Sequence, residues 1–258
     1  MSLFSNRPPP VAPVALITDA ASSLGHIISR ALAQQGWDLA LHYQQDQQAE
    51  VTTLELVKEF EAIGRRALAI PANLCDDTAV KSLVPRVIAV LGSLSCVVNN
   101  ATELARDSAA DFSAARLEQH MRSNVSAPIL LAQALHAATP EGAQAAVINV
   151  LDQKLFSPQP DFLSYTLSKA ALHSATQLLA QALAPRLRVV GIAPTLDLNQ
   201  PGISPVLSVA ASADDLAASI CFIAASSAIT GTTLLVDGGQ HLRAGPGDQV
   251  AAETTSNI

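Results

Sequence analysis

Seven short apolar runs recur along the chain, at residues 14–18 (VALIT), 38–43 (DLALHY), 67–71 (ALAIP), 96–99 (CVVN), 146–151 (AVINVL), 188–193 (RVVGIA) and 233–237 (TLLVD). Between them the apolar positions return every three or four residues. Leu24, Ile27, Ile28, Ala31 and Leu32 do so in the first gap, and Leu167, Ala171, Ala175, Leu178 and Ala182 do so after the fifth run. Near-continuous apolar runs predict strands buried on both faces, and the longer period predicts amphipathic helices. Strict alternation of the two predicts an α/β fold: a doubly wound parallel sheet of about seven strands with helices on both faces. No repeat or linker interrupts residues 14–240, so a single domain is expected over 13–242. A proline-bearing flexible arm at 1–12 and a polar flexible tail at 243–258 flank it.

In such a sheet, ligands bind beyond the carboxyl ends of the strands. Polar residues collect there: Asp19 after the first run, Tyr43 and Gln44 at the second, Asn73 after the third, Asn99 and Asn100 at the fourth, Asp152 after the fifth, Pro194 and Thr195 after the sixth. The first run passes through small residues into a helix (ALITDAASSLGHIISRAL), as a Rossmann-type dinucleotide-binding turn does, although Gly25 is its single glycine. Tyr165 and Lys169 stand four apart on a predicted helix and share a face. A phenol beside an ammonium is expected to have a lowered pKa and to exchange a proton readily.

Composition narrows the classes. The 258 residues are 49% apolar and 14% charged, enough for a large core. A net charge of −7 argues against a nucleic-acid partner, and no apolar run reaches membrane-spanning length. The opening segment lacks the apolar core of a signal peptide, and Cys75, Cys96 and Cys221 are scattered, so a cytoplasmic protein with reduced thiols is expected. Neither the cysteines nor the six histidines show metal-ligand spacing, so no metal is expected.

Several motifs occur in an order that resembles the short-chain dehydrogenase/reductase family over nearly all of 13–242: VVNNA (97–101), SNVSAP (123–128), YTLSK (165–169), GIAPT (191–195) and ITGTTLLVDGGQHL (229–242). Within it, Asp152 in place of the usual serine, LHYQQ (41–45) and NNAT without a final glycine are similar to pteridine and dihydromonapterin reductases. The resemblance implies Tyr165, Lys169, Asp152 and Asn124 as catalytic residues. It implies a cofactor site at Thr18, Asp19, Ser22, Ser23, Leu24, Gly25, Tyr43, Asn73, Leu74, Asn100, Ala101, Lys169, Pro194 and Thr195. The cofactor it implies is NADPH, with NADH as the alternative.

The implied activity is hydride transfer to a C=N or C=O bond of a small, pterin-like substrate. Tyr165 would donate the proton, Lys169 would lower its pKa and hold the nicotinamide ribose, and Asn124 would keep a water linked to Lys169. Asp152 is able to act as a proton source for a ring nitrogen. A homo-oligomer, dimer or tetramer, is implied, and the sparsely charged helices around 112–136 and 165–182 suit subunit contacts. His173 reads as a packing or subunit-contact residue. The segment 196–215 reads as a lid.

Departures support a rival reading, a pseudoenzyme acting as a binding or assembly module. Asp19 and Ser23 replace the first two glycines of the family's turn, the second of which is an arginine in pteridine reductases. Gln45 replaces an arginine, Leu104 an aromatic residue, and Asn73 an acidic one. Oxidation of an alcohol with NAD would call for an acid closing the second strand, where Tyr43 and Gln44 stand instead.

Overall fold

The computed structural model describes residues 12–156, 161–195, 206–207 and 211–242. Seven strands form one parallel sheet: β1 (Val14–Ile17), β2 (Asp38–Tyr43), β3 (Ala67–Pro71), β4 (Leu94–Asn99), β5 (Ala145–Val150), β6 (Leu187–Pro194) and β7 (Thr233–Val236). Their order is β3-β2-β1-β4-β5-β6-β7. The chain reverses direction of winding at β1, so the crevice at the switch point opens between β1 and β4. Every residue of β1, β2, β5 and β6 is buried, as near-continuous apolar runs predict, and Asp38, His42, Asn149 and Arg188 are buried with them.

Alternate residues feed two core layers. Val14, Leu16, Val97, Val147 and Val189 face one side with Leu83, Val87, Leu131 and Leu135. Ala15, Ile17, Val98, Ile148 and Val190 face the other with Ile28, Leu32, Phe60 and Ile220. The first layer is closed by α3 (Asp77–Leu91), α5 (Ala127–Ala138) and α6 (Leu163–Ala182), the second by α1 (Ser23–Gln34), α2 (Gln47–Ala62) and α7 (Ala213–Ala225). A shorter helix, α4 (Ala114–Met121), runs into α5 through a π-turn at Arg122–Ser126.

Side-chain caps fix where most of these helices begin. Ser22 accepts from Gly25 N at the start of α1, Asp46 from Ala49 N at α2 and Asp76 from Thr78 N at α3. Ser212 and Asp215 cap α7 reciprocally. The strands depart from the expected limits by two residues at most. β4 starts at Leu94 because that residue pairs with Val14, and β6 runs on to Pro194 because that residue pairs with Val236. No helix among the described residues is long and apolar enough to cross a membrane. Residues 1–11 of the expected arm, the tail at 243–258 and most of the expected lid at 196–215 lie outside the described residues.

Candidate active site

The turn after β1 is held by the side chains of Thr18 and Asn100. Thr18 Oγ1 accepts from the backbone N–H groups of Asn100 and Ala101, each at 2.9 Å. Asn100 Nδ2 donates in return to the carbonyls of Thr18 and Asp19, and to Ser22 Oγ. These bonds lock the ends of β1 and β4 together at the switch point. Asp19 takes the left-handed backbone conformation, with φ of 53°. Glycine suits that region, but aspartate is among the side chains that tolerate it. Gly25 has no such freedom. A Cβ there would lie 2.2 Å from the carbonyl oxygen of Asp19.

His42 supports the same turn from beneath. Its Nδ1 accepts from Asp19 N at 3.1 Å and its Nε2 lies 3.1 Å from the carbonyl of Ala72. This pairing requires a neutral ring with its proton on Nε2. Burial pushes the His42 pKa down to about 4. The Asp19 carboxyl is pushed up by burial, against an opposing hydrogen bond from Ser22 and with a smaller push from the charge of Asp46. Asp19 does not cap α1; Ser22 does. Asp46, the first acid after β2, is spent capping α2.

The other expected cofactor residues divide. Ser23 and Leu24 face Pro194 and Thr195 across a cavity of about 160 Å3 at the head of α1, with Val236 behind. Tyr43 closes β2, and its carbonyl accepts from Ala72 N. Asn73 turns its side chain back onto Cys75 N. Leu74 has its side chain in the core with Val80 and Val84, because the chain has already turned inward toward α3 there. Only its backbone can face the rim.

The residues expected at the reaction centre gather at the carboxyl ends of β4 and β5. Tyr165 and Lys169 lie one turn apart on α6, and both are fully buried. Tyr165 Oη donates to Asp152 Oδ2 at 2.7 Å. Lys169 Nζ donates to the carbonyl of Val150 at 2.8 Å and to Thr102 Oγ1 at 3.1 Å, 5.8 Å from the Tyr165 ring centroid. The expected lowering of the phenol pKa is therefore corrected. Burial, then the charge of Asp152 and the hydrogen bond to it, raise Tyr165 well above the ordinary phenol value. Burial brings Lys169 down to about 8, with the charge of Asp152 opposing. Asp152 acts here as an acceptor, on Oδ2 from Tyr165 and on Oδ1 from Lys154 N at 2.7 Å.

Asn124 sits in the π-turn, buried beside α6. Its Nδ2 donates to Glu103 O and Ser168 Oγ, and its Oδ1 accepts from Glu103 N. Both side-chain N–H bonds are thus spent on protein, so a water linked to Lys169 finds only acceptors at this residue. The loop after β4 reaches each part of the centre in turn. Thr102 meets Lys169, Glu103 meets Asn124, Ala105 N meets His120 Nε2, and Asp107 meets Ser164.

The residues matched by the family model named short chain dehydrogenase are 13–197, from before β1 to past β6. The chain belongs to the short-chain dehydrogenase family. It is an oxidoreductase of that family, with a seven-stranded parallel sheet in a Rossmann-like single domain. It is 27% identical over 244 residues to 2-dehydro-3-deoxy-D-gluconate 5-dehydrogenase of Dickeya dadantii (strain 3937), covering 88% of this chain and 94% of that one. Among solved structures it is similar to FolM alternative dihydrofolate reductase 1 from Brucella suis in complex with NADP. That match has 32% identity and a TM-score of 0.84, over 90% of this chain and 96% of that one. A blue fluorescent protein from a metagenomic library in complex with NADPH matches at 30% identity and a TM-score of 0.80, over 88% and 97% of the two chains.

The geometry adds residues that pattern alone did not single out. Lys154 is buried beside Asp152, and its ammonium lies 5.7 Å from the Phe162 ring centroid. Phe162 meets Tyr165 edge-on at 6.5 Å. Asp107 is buried and accepts from Ser164 N and Ser164 Oγ. Lys154 had a local signal, since a carboxylate two residues before a lysine sits within reach of it. Asp107 had none, because its partner is 57 residues away. Leu104, at the position of an expected aromatic, is half exposed. His173 makes an edge contact with Phe156 at 5.9 Å.

Proposed function

We propose that this protein is an NADPH-dependent reductase of a C=N or C=O bond in a small, pterin-like substrate, with Tyr165 as proton donor. The observation that carries the reading is the buried Tyr165 hydroxyl, hydrogen-bonded to Asp152 one helical turn from Lys169. The similarity to proteins solved with NADP and NADPH, one of them an alternative dihydrofolate reductase, supports the cofactor and the substrate class. The rim residues suit such a cofactor: Ser23, Leu24, Pro194 and Thr195 line a cavity at the head of α1, and helix N-termini favour phosphates. When bound, the reduced nicotinamide supplies the hydride.

Tyr165 starts protonated, since burial and the Asp152 charge hold its pKa high. That is the form a donor needs, and a reductase uses it before any phenolate exists. Loss of the proton would leave a phenolate against a carboxylate, and Lys169 offsets this charge from 5.8 Å. Lys169 is fixed by Val150 and Thr102, so its ammonium is aimed before substrate arrives and can also meet the ribose hydroxyls. Asn124 holds the loop after β4 on α6 rather than presenting free N–H groups. Asp152 orients the phenol, and as an acceptor it reads an N–H on the substrate's ring.

Retention of this whole centre favours an enzyme over a pseudoenzyme module. Exposed Leu167 and Leu178 on α6 support a homo-oligomer. The test is NADPH consumption with 7,8-dihydrofolate and with an activated ketone. Tyr165→Phe should lower kcat at least a thousandfold while the Kd for NADPH stays within about twofold, because the ring remains and only the acid is lost. Equal turnover in variant and parent would remove Tyr165 from the mechanism.

A further inference from the structure

The Asp152 carboxylate is gripped on both oxygens by one residue two positions on. Lys154 donates its backbone N–H to Oδ1 at 2.7 Å, and its ammonium lies 3.9 Å from Oδ2, the oxygen that receives the Tyr165 hydroxyl. Both residues are buried, at 2% and 8% exposure. Lysine is rarely buried unless paired, because its charge loses hydration there. The ammonium is placed further by Phe162. That residue precedes α6 in the left-handed conformation, with φ of 63°. Its ring takes Lys154 at 5.7 Å and Arg106 at 6.0 Å, and it packs edge-on to Tyr165. Arg106 is itself paired with Asp161.

The groups facing Asp152 are therefore Tyr165 and Lys169 from α6 and Lys154 from the short turn after β5. Lys169 is committed to Val150 and Thr102. Lys154 is the cation that faces the oxygen holding the phenol. We infer that Lys154 is a positioning residue, which holds the Asp152 carboxylate aimed at Tyr165 and so sets the phenol for proton delivery. This rests on the reading of Tyr165 as proton donor. Without the ammonium, the Asp152 side chain loses the contact on Oδ2 and is free to turn away from the Tyr165 hydroxyl.

The test compares Lys154→Met, which keeps the stem and removes the charge, with Lys154→Arg, which keeps the charge. Turnover of 7,8-dihydrofolate with NADPH is followed. In Lys154→Met kcat should fall about tenfold, while KM for NADPH stays within about twofold. Lys154→Arg should restore most of the parent kcat. An unchanged kcat in Lys154→Met overturns the inference.

A second arm needs no turnover: the melting temperatures of Lys154→Met, Asp152→Asn and the double variant. Each single change leaves a buried group without its partner, so the double variant should lose clearly less than the two single losses added. Strictly additive losses overturn the contact. A parent protein inert toward every substrate removes the reductase reading instead, and the cycle then decides the Lys154–Asp152 pairing by itself.

Discussion

At the scale of single residues, the cofactor turn shows how an aspartate can stand where a glycine is usual. The backbone of Asp19 is held by His42, Ser22 and Asn100 in the left-handed region, so the turn keeps its shape. Its carboxyl, however, sits half-buried near the expected phosphate site. Like charges a few ångströms apart and partly screened cost on the order of 1–2 kcal/mol. Asp19→Gly should tighten NADPH roughly tenfold, which corresponds to about 1.4 kcal/mol, and Asp19→Asn should recover much of that gain by removing the charge alone. Fluorescence titration at low and high salt checks both, with the larger gain expected at low salt. His42 gives a pH signature. Its folded pKa, about 4, is below the unfolded value, so the unfolded chain binds the extra proton between them. Its contribution is complete above about pH 6.5 and is lost as pH falls toward 4, a change of roughly 3 kcal/mol. In His42→Gln, melts across pH 4–7 should show a shallower slope.

At the scale of elements, the helix that carries Tyr165 and Lys169 has an unusual start. Phe162, at its N-cap, is left-handed and gives no side-chain cap. Asp107 supplies the cap from the loop after β4, taking Ser164 N and Oγ, while its own carbonyl accepts from Leu163 N. Removing a cap costs about 1–2 kcal/mol, so Asp107→Ala should lower the melting temperature by about 3–8 °C and reduce kcat more than NADPH affinity. The seven strands were legible because each is a mostly apolar run, and the order of the motifs along the chain carried the family. What was not legible depends on contacts distant in sequence. The direction of Leu74 is set by where the chain turns into α3. The exhaustion of Asn124's amide needs Glu103 and Ser168 in place. The rise in Tyr165's pKa needs first its burial and then Asp152, which reaches it from the turn after β5. Spacing along α6 correctly paired Tyr165 with Lys169 on one face, but burial and a carboxylate outweighed the ammonium.

At the scale of the whole molecule, the loop 101–107 joins parts that the chain keeps far apart. It leaves β4, touches α6 at Lys169 and Ser164, touches the π-turn at Asn124 and reaches α4 at His120. None of these contacts is local in sequence. Amide hydrogen exchange should therefore report the site as one opening unit. The N–H groups of Glu103, Ala105 and Ser164 should exchange with a common free energy and a common denaturant dependence, although they belong to different segments. Asp107→Ala should accelerate all three together and leave the N–H of Leu16, at the centre of the sheet, at its original rate. The protein would then hold its reactive groups in register the way a keystone holds an arch: through one short piece whose removal loosens the rest while the walls stand.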